Sequence, residues 1–393
     1  MLAIRFSKYL KNRGVRHAIW VDKESPLVNL VADDQIVSDE SGLESLGSIT
    51  NILLMGKVDL NIKDVPAFRG TRVLLWVLHP HAIYSALFPG WDRIVHYIGF
   101  RLSWFFVVLF RQHRHELNKL FWRLARSKSI LFMDGATRRG FQSVIDEDFL
   151  DIDIVPVPVD CCYKGKGKSN ENTLDIGYFG RMDEMKYSAL KGVLDSGVWG
   201  KLSNKSINLH YVGNGGMDRK LEELCCRRGI NLIGYGFMEN EQARILLRDK
   251  TDVVFAMGTA ALDMAAVGQA VIMIDPSVSI WARKQKYFNI VSDIRDYTLG
   301  EYRGSTRYIE GKRSLIDALN ICLDNRNDVG MGCYDYVKEN HGADAIFERL
   351  LNAILSSQLK FESYSISLHA LSETIKNVNN TYMAIGKIFR LVA

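Results

Sequence analysis

From residue 174 onward the chain alternates between two textures. Short, nearly unbroken apolar runs at 174–180, 207–213, 231–235, 252–256 and 270–274 are separated by stretches with helical apolar spacing. The spacing predicts helices from about 186, around Leu221, Leu224 and Cys225, over 239–247 and over 260–267. Strands that are apolar on both faces and alternate with helices of this length predict a parallel sheet covered on both sides. In such sheets ligands bind beyond the carboxyl ends of the strands. Gly180, Gly213, Gly215, Gly216 and Gly258 all fall at those ends.

The first half is less regular but also reads as α/β. A helix over 3–12 closed by Gly14, strand-like runs at 18–21, 52–55, 73–78 and 129–133, and a mostly helical pattern over 94–124 are expected. Alternating valines and prolines at 155–159, followed by a Gly/Lys/Asn stretch at 164–172, mark a linker. The expected division is a Rossmann-like domain over 1–158, a linker over 159–173, a second domain over 174–357 and a tail over 358–393 that can be helical. A last helix is expected over 336–356, and no repeat of fixed period is visible.

Composition narrows the class. With 393 residues, 47% hydrophobic and 24% charged, the chain is long enough for two globular cores. Fifty Lys and Arg against 45 Asp and Glu give a net charge of +5, too little to imply nucleic acid as a partner. Six cysteines without a Cys-x-x-Cys or a zinc-like His spacing suggest a reducing, cytoplasmic setting. The first residues lack the pattern of a signal peptide. The longest apolar run, 102–110, lies between Arg101 and Arg111 and is far short of the roughly 20 residues that cross a bilayer.

Charge placement is more informative than charge total. Asp175-Ile176-Gly177-Tyr178-Phe179-Gly180-Arg181, followed by Lys186, brings two cations to the mouth of a buried strand. Tyr211-Val212-Gly213-Asn214-Gly215 repeats the strand-to-glycine turn, and Gly258-Thr259-Ala260-Ala261-Leu262-Asp263 adds a glycine, a helix start and an acid. These stretches resemble the donor domain of GT-B glycosyltransferases, closest to the large retaining group of bacterial polysaccharide assembly. There a Gly-Arg pair precedes a lysine five residues beyond the arginine, which is Lys186 here. The family's later motif places its second glycine on Gly258, its second glutamate on Asp263 and its last alanine on Ala266. Its first glutamate falls on Phe255 and its proline on Ala270. The likeness spans roughly 174–275. The family usually opens with a strand and glycine-rich loop, whereas this chain opens in a helical pattern: either the first strand is absent or the start is truncated.

The resemblance implies two Rossmann-like domains facing a cleft and transfer of a sugar from a nucleotide diphosphate donor, with retention of configuration. No bound metal or other cofactor is expected, because the cationic pair would take the metal's place. The chemistry suits the residue types: Arg181 offers a planar fork and Lys186 a point charge to the diphosphate. The amides of Thr259 and Ala260 would extend that cradle, Gly258 would allow close backbone approach, and Asp263 would take ribose hydroxyls. Gly213 and Gly215 are weaker signals, since such glycines commonly just turn the chain.

On the acceptor side, His79 and His81 follow an apolar run and are candidates for taking a proton from an acceptor hydroxyl. Asp134 ends another strand and is the next catalytic candidate, with Arg138 and Arg139 beside it. Between Trp91 and Lys128, eight basic residues face two acids, interleaved with aromatics that include Trp104, Phe105, Phe106, Phe110, Phe121 and Trp122, which suits either an anionic membrane surface or a solvated helix face. The expected partners are a nucleotide sugar and a saccharide acceptor, lipid-linked in surface polysaccharide synthesis, with the enzyme peripheral on the inner membrane face. A nucleotide-sugar epimerase and a non-catalytic nucleotide-binding scaffold fit the same architecture.

Overall fold

A computed structural model of the protein describes residues 2–20, 36–37, 48–56, 65–79, 111–142, 152–163, 172–202, 205–276, 285, 287–300 and 313–373. The first half contains α1 (Leu2–Asn12), β1 (Ile19–Trp20), β2 (Ile36–Val37), β3 (Asn51–Met55), β4 (Arg72–Val77), α2 (Arg111–Arg126), β5 (Ile130–Phe132) and α3 (Gly135–Gln142). Strands β3, β4 and β5 form a parallel sheet in that order, and β1 pairs in parallel with β2. Burial explains the unbroken apolar sequence of β4: Val73 through Val77 are all covered, on one face by Leu117, Leu120, Phe121 and Leu124 of α2.

The second half runs β6 (Thr173–Phe179), α4 (Glu184–Leu194), α5 (Trp199–Leu202), β7 (Ser206–Val212), α6 (Asp218–Arg228), β8 (Asn231–Gly234) and α7 (Asn240–Lys250). It continues with β9 (Val253–Ala256), α8 (Thr259–Ala265), β10 (Val271–Met273), β11 (Asn289–Ile290), α9 (Leu315–Asp324), α10 (Arg326–His341) and α11 (Ala343–Ser356). Its sheet has the order β11-β10-β9-β6-β7-β8, parallel except for β11. The chain steps outward from β6 to β7 and β8, then returns to the other side of β6 for β9 and β10. The order therefore reverses between β6 and β9, the kind of position beyond which open α/β sheets bind ligands.

The single helix expected over 336–356 is two helices, broken at Gly342. After that break the chain returns to the first half. Ile346, Phe347 and Leu350 of α11 pack with Phe6, Tyr9, Leu10, Leu74 and Trp76 on the second face of the sheet. Lys360 bridges Arg72 at the start of β4. A helical segment at 361–373 then buries Phe361, Tyr364, Leu368 and Leu371 in the core beneath α2. No helix among the described residues is long and apolar enough to cross a membrane.

Candidate functional site

The cationic corner is built at the carboxyl end of β6. Asp183 caps α4 by accepting a hydrogen bond from the Lys186 backbone N–H at 3.0 Å, which fixes where the lysine leaves the helix. Lys186 is half-buried, and its Nζ lies 3.6 Å from where a Cβ on Gly180 would stand. Burial holds its ammonium below the usual lysine range; Asp183 opposes that shift and the nearby Arg181 guanidinium adds to it. Arg181 itself is exposed. A cation desolvated beside a second cation is stabilised by an incoming anion.

Backbone packing explains the glycines. Gly213 ends β7 with φ +145°, and a Cβ there would stand 2.1 Å from the Gly180 carbonyl oxygen. Gly215 is equally tight, since its Cβ would lie 2.3 Å from the Met182 oxygen. The two turns are stitched by hydrogen bonds from Met182 N–H to Asn214 O and from Met217 N–H to Met182 O. Gly213 and Gly215 thus shape the cationic turn from its neighbour strand. Their close approach is to protein backbone.

On the other side of β6, Tyr178 pairs with Phe255 of β9, so Gly258 follows two strand ends that lie side by side. Gly258 has φ 60° and ψ −144°, a conformation that side chains strongly disfavour. It is the N-cap of α8, no side chain caps it, and Thr259 and Ala260 open the helix. The Gly258 N–H is already spent on the Leu299 carbonyl at 2.9 Å.

Asp263 is half-buried and accepts a hydrogen bond from the Asn240 amide at 3.1 Å. Burial raises its carboxyl, against the pull of Arg244 and that hydrogen bond, with Arg5 and Asp160 also within electrostatic reach. Phe255 is fully buried inside β9, where its ring meets Trp199 edge-on at 6.3 Å. That position therefore belongs to the core of the sheet, two residues short of the turn.

In the first half, His79 is exposed just beyond β4, while His81 lies outside the described residues. Asp134 follows β5 and is only 2% exposed. It accepts from the Thr137 N–H at 2.6 Å, capping α3, and from the Leu299 N–H. Burial pushes its carboxyl up to about 6 against those hydrogen bonds and the Arg139 guanidinium. Of the basic, aromatic stretch 91–128, the part before residue 111 lies outside the described residues. Within α2, Phe121 is core, whereas Trp122 is 39% exposed with the Arg126 guanidinium stacked 3.4 Å from its ring centre.

Three further contacts shape these candidate sites. The Asp183 cap carries a local signal, an acid opening a helix. Asn240 and the loop at 295–299 carry none, because only the fold brings them to Asp263, Asp134 and Gly258. Among the described residues no group of three or more His, Cys, Asp or Glu side chains is placed to hold a metal ion.

Neither a protein-family model nor a curated protein sequence matches the chain. Solved structures do. A glycosyltransferase from Rickettsia africae is similar over 89% of this chain and 92% of its own length, at 12% identity and a TM-score of 0.53. A lipopolysaccharide outer core galactosyltransferase, WaaB, is similar over 58% of this chain at 16% identity and a TM-score of 0.40. TarM of S. aureus, in a complex with UDP, is similar over 59% of this chain at 15% identity and a TM-score of 0.40. The chain spans 61% of WaaB and 45% of that TarM structure. Two α/β halves with parallel sheets and the end-to-end likeness to the Rickettsia enzyme give this chain the GT-B fold of glycosyltransferases.

Proposed function

We propose that the protein transfers a sugar from a nucleotide diphosphate donor to a saccharide acceptor. The observation that carries this reading is Lys186, desolvated against Gly180 beside Arg181 at the strand ends where the sheet order reverses. Two fixed cations stabilise the charge that builds on a departing diphosphate without having to reorganise. In the transfer, the bond from the anomeric carbon to the diphosphate oxygen breaks and a bond to the acceptor oxygen forms. The acceptor proton passes to a base or to the departing phosphate; His79, exposed beyond β4, is the described residue proposed for it. The amides of Thr259 and Ala260 add backbone donors, and Asp263 is assigned to the ribose. The chemistry needs no bound metal on this reading. A lipid-linked acceptor in surface polysaccharide synthesis, with Trp122 and Arg126 against an anionic membrane face, is the wider setting proposed.

A thermal-shift screen of the full chain against nucleotide diphosphate sugars tests the donor assignment. One or two nucleotides should raise the melting temperature of the wild type and leave that of Arg181→Ala with Lys186→Ala unmoved. Equal shifts in both proteins, or none in the wild type, would remove it. Phe255 favours a second reading, a nucleotide-binding subunit without turnover, since its place in the core leaves no acid at that motif position. Donor binding without product, in the presence of lipid-linked acceptors, would select that reading.

A further inference from the structure

Residues 295–299 join the two halves. The Asp296 carbonyl accepts from the Gly135 N–H at 2.7 Å, and the Asp296 carboxylate pairs with Arg139 at 3.0 Å. Arg139 also reaches the Thr298 hydroxyl at 3.5 Å. Leu299 faces both ways: its N–H donates to Asp134 of the first half, and its carbonyl accepts from the Gly258 N–H of the second. Asp296 and Tyr297 hold φ of 53° and 59°, in the left-handed region that non-glycine residues avoid. Such backbone persists where surrounding contacts over-determine it. Tyr297 is braced by His341, edge-on at 5.8 Å.

We propose that Asp134 is a positioning residue for the diphosphate loop: it holds the Leu299 peptide, and through it the Gly258 turn, so that docking of the two halves shapes the donor site. The proposal rests on the assignment of the Gly258–Thr259 turn to the donor. Asp134 then acts through Leu299 and not on the reacting atoms. Its burial fits this role: a carboxylate 2% exposed and occupied by two backbone N–H groups is poorly placed to take a proton from an acceptor. The surroundings contribute Arg139 from α3, Asp296 from the joining loop, and Tyr336 from α10.

Amide hydrogen exchange on the full chain without ligand tests the coupling. Two variants break the join from different sides. Asp134→Ala removes the acceptor. Gly135→Ala drives a Cβ to within 2.5 Å of the Asp296 Cβ, while alanine itself favours the helix it enters. Each should speed exchange in 256–262 about tenfold, the loss expected for one charge-assisted hydrogen bond, and leave 206–212 in β7 unchanged. Asp134→Asn keeps an acceptor oxygen and should stay near wild type. Unchanged exchange at 256–262 in Gly135→Ala, which carries the test if Asp134→Ala does not fold, would overturn the proposal. A uniform rise across both segments would overturn it too. Affinity for UDP or GDP should fall about tenfold in the same variants. If the wild type binds neither nucleotide, the exchange data still decide the coupling, and it is the donor assignment that fails.

Discussion

The two sheets end differently at their carboxyl edges. Beyond β6 and β7 the second half presents Arg181 and Lys186 over glycine turns packed backbone to backbone. Beyond β4 and β5 the first half presents an exposed histidine and a buried acid that caps a helix. On the proposed reading one end meets negative charge and the other fixes geometry. The difference teaches where substitutions should act: at the cationic end they change affinity for a ligand, and at the acidic end they change how the halves meet.

The largest expected effect lies at the cationic end. Replacing both Arg181 and Lys186 by Ala should lower glycosyl transfer about a hundredfold or more, read as initial rates with the donor found by screening. Activity within a few-fold of wild type would erase the contrast between the two ends. Next comes Gly213→Ala, whose Cβ would overlap the Gly180 carbonyl. It should cost about 3–4 kcal/mol of stability in urea unfolding. A cost below about 1 kcal/mol would mean that the two turns are not locked together.

The acidic end makes a prediction in pH. A carboxyl raised from 3.8 to about 6 on folding binds its proton more tightly in the folded chain. Wild type should therefore gain stability, relative to Asp134→Asn, as pH falls from about 7 toward 4. The gain should be about 2–3 kcal/mol by urea midpoints at each pH. Arg139, Asp296 and Tyr336 face the same pocket and are left intact in the comparison. A pH-independent difference would show that Asp134 is not held ionised at a cost. The smallest effect is at the Asp183 cap: Asp183→Ala should lose about 1 kcal/mol, and Asp183→Ser should recover most of it. Equal stability of all three would remove the cap from the account of how Lys186 is placed.

How much of this was legible in the sequence follows contact distance along the chain. In the second half each strand, turn and helix packs on near neighbours, so apolar runs and glycines located β6 to β10 within a few residues. The first half needed residues 343–371 to complete its core, and no local pattern announces that Phe361 or Tyr364 covers α2. The Gly180-Arg181 and Lys186 pairing was readable because one helix cap sets it. Asp134 was readable as a strand-end acid, but not its burial or its tie to Leu299, 165 positions away. Phe255 marked a departure from the motif, and only the sheet shows that its side chain is core.

Recognition of a diphosphate is the role proposed for Lys186. Isothermal titration of UDP and of uridine into wild type and Lys186→Ala tests it directly, with GDP and guanosine as a second pair. Wild type should prefer the diphosphate over its nucleoside by about a hundredfold or more, and Lys186→Ala should lose at least tenfold of that preference. An undiminished preference in Lys186→Ala would contradict it.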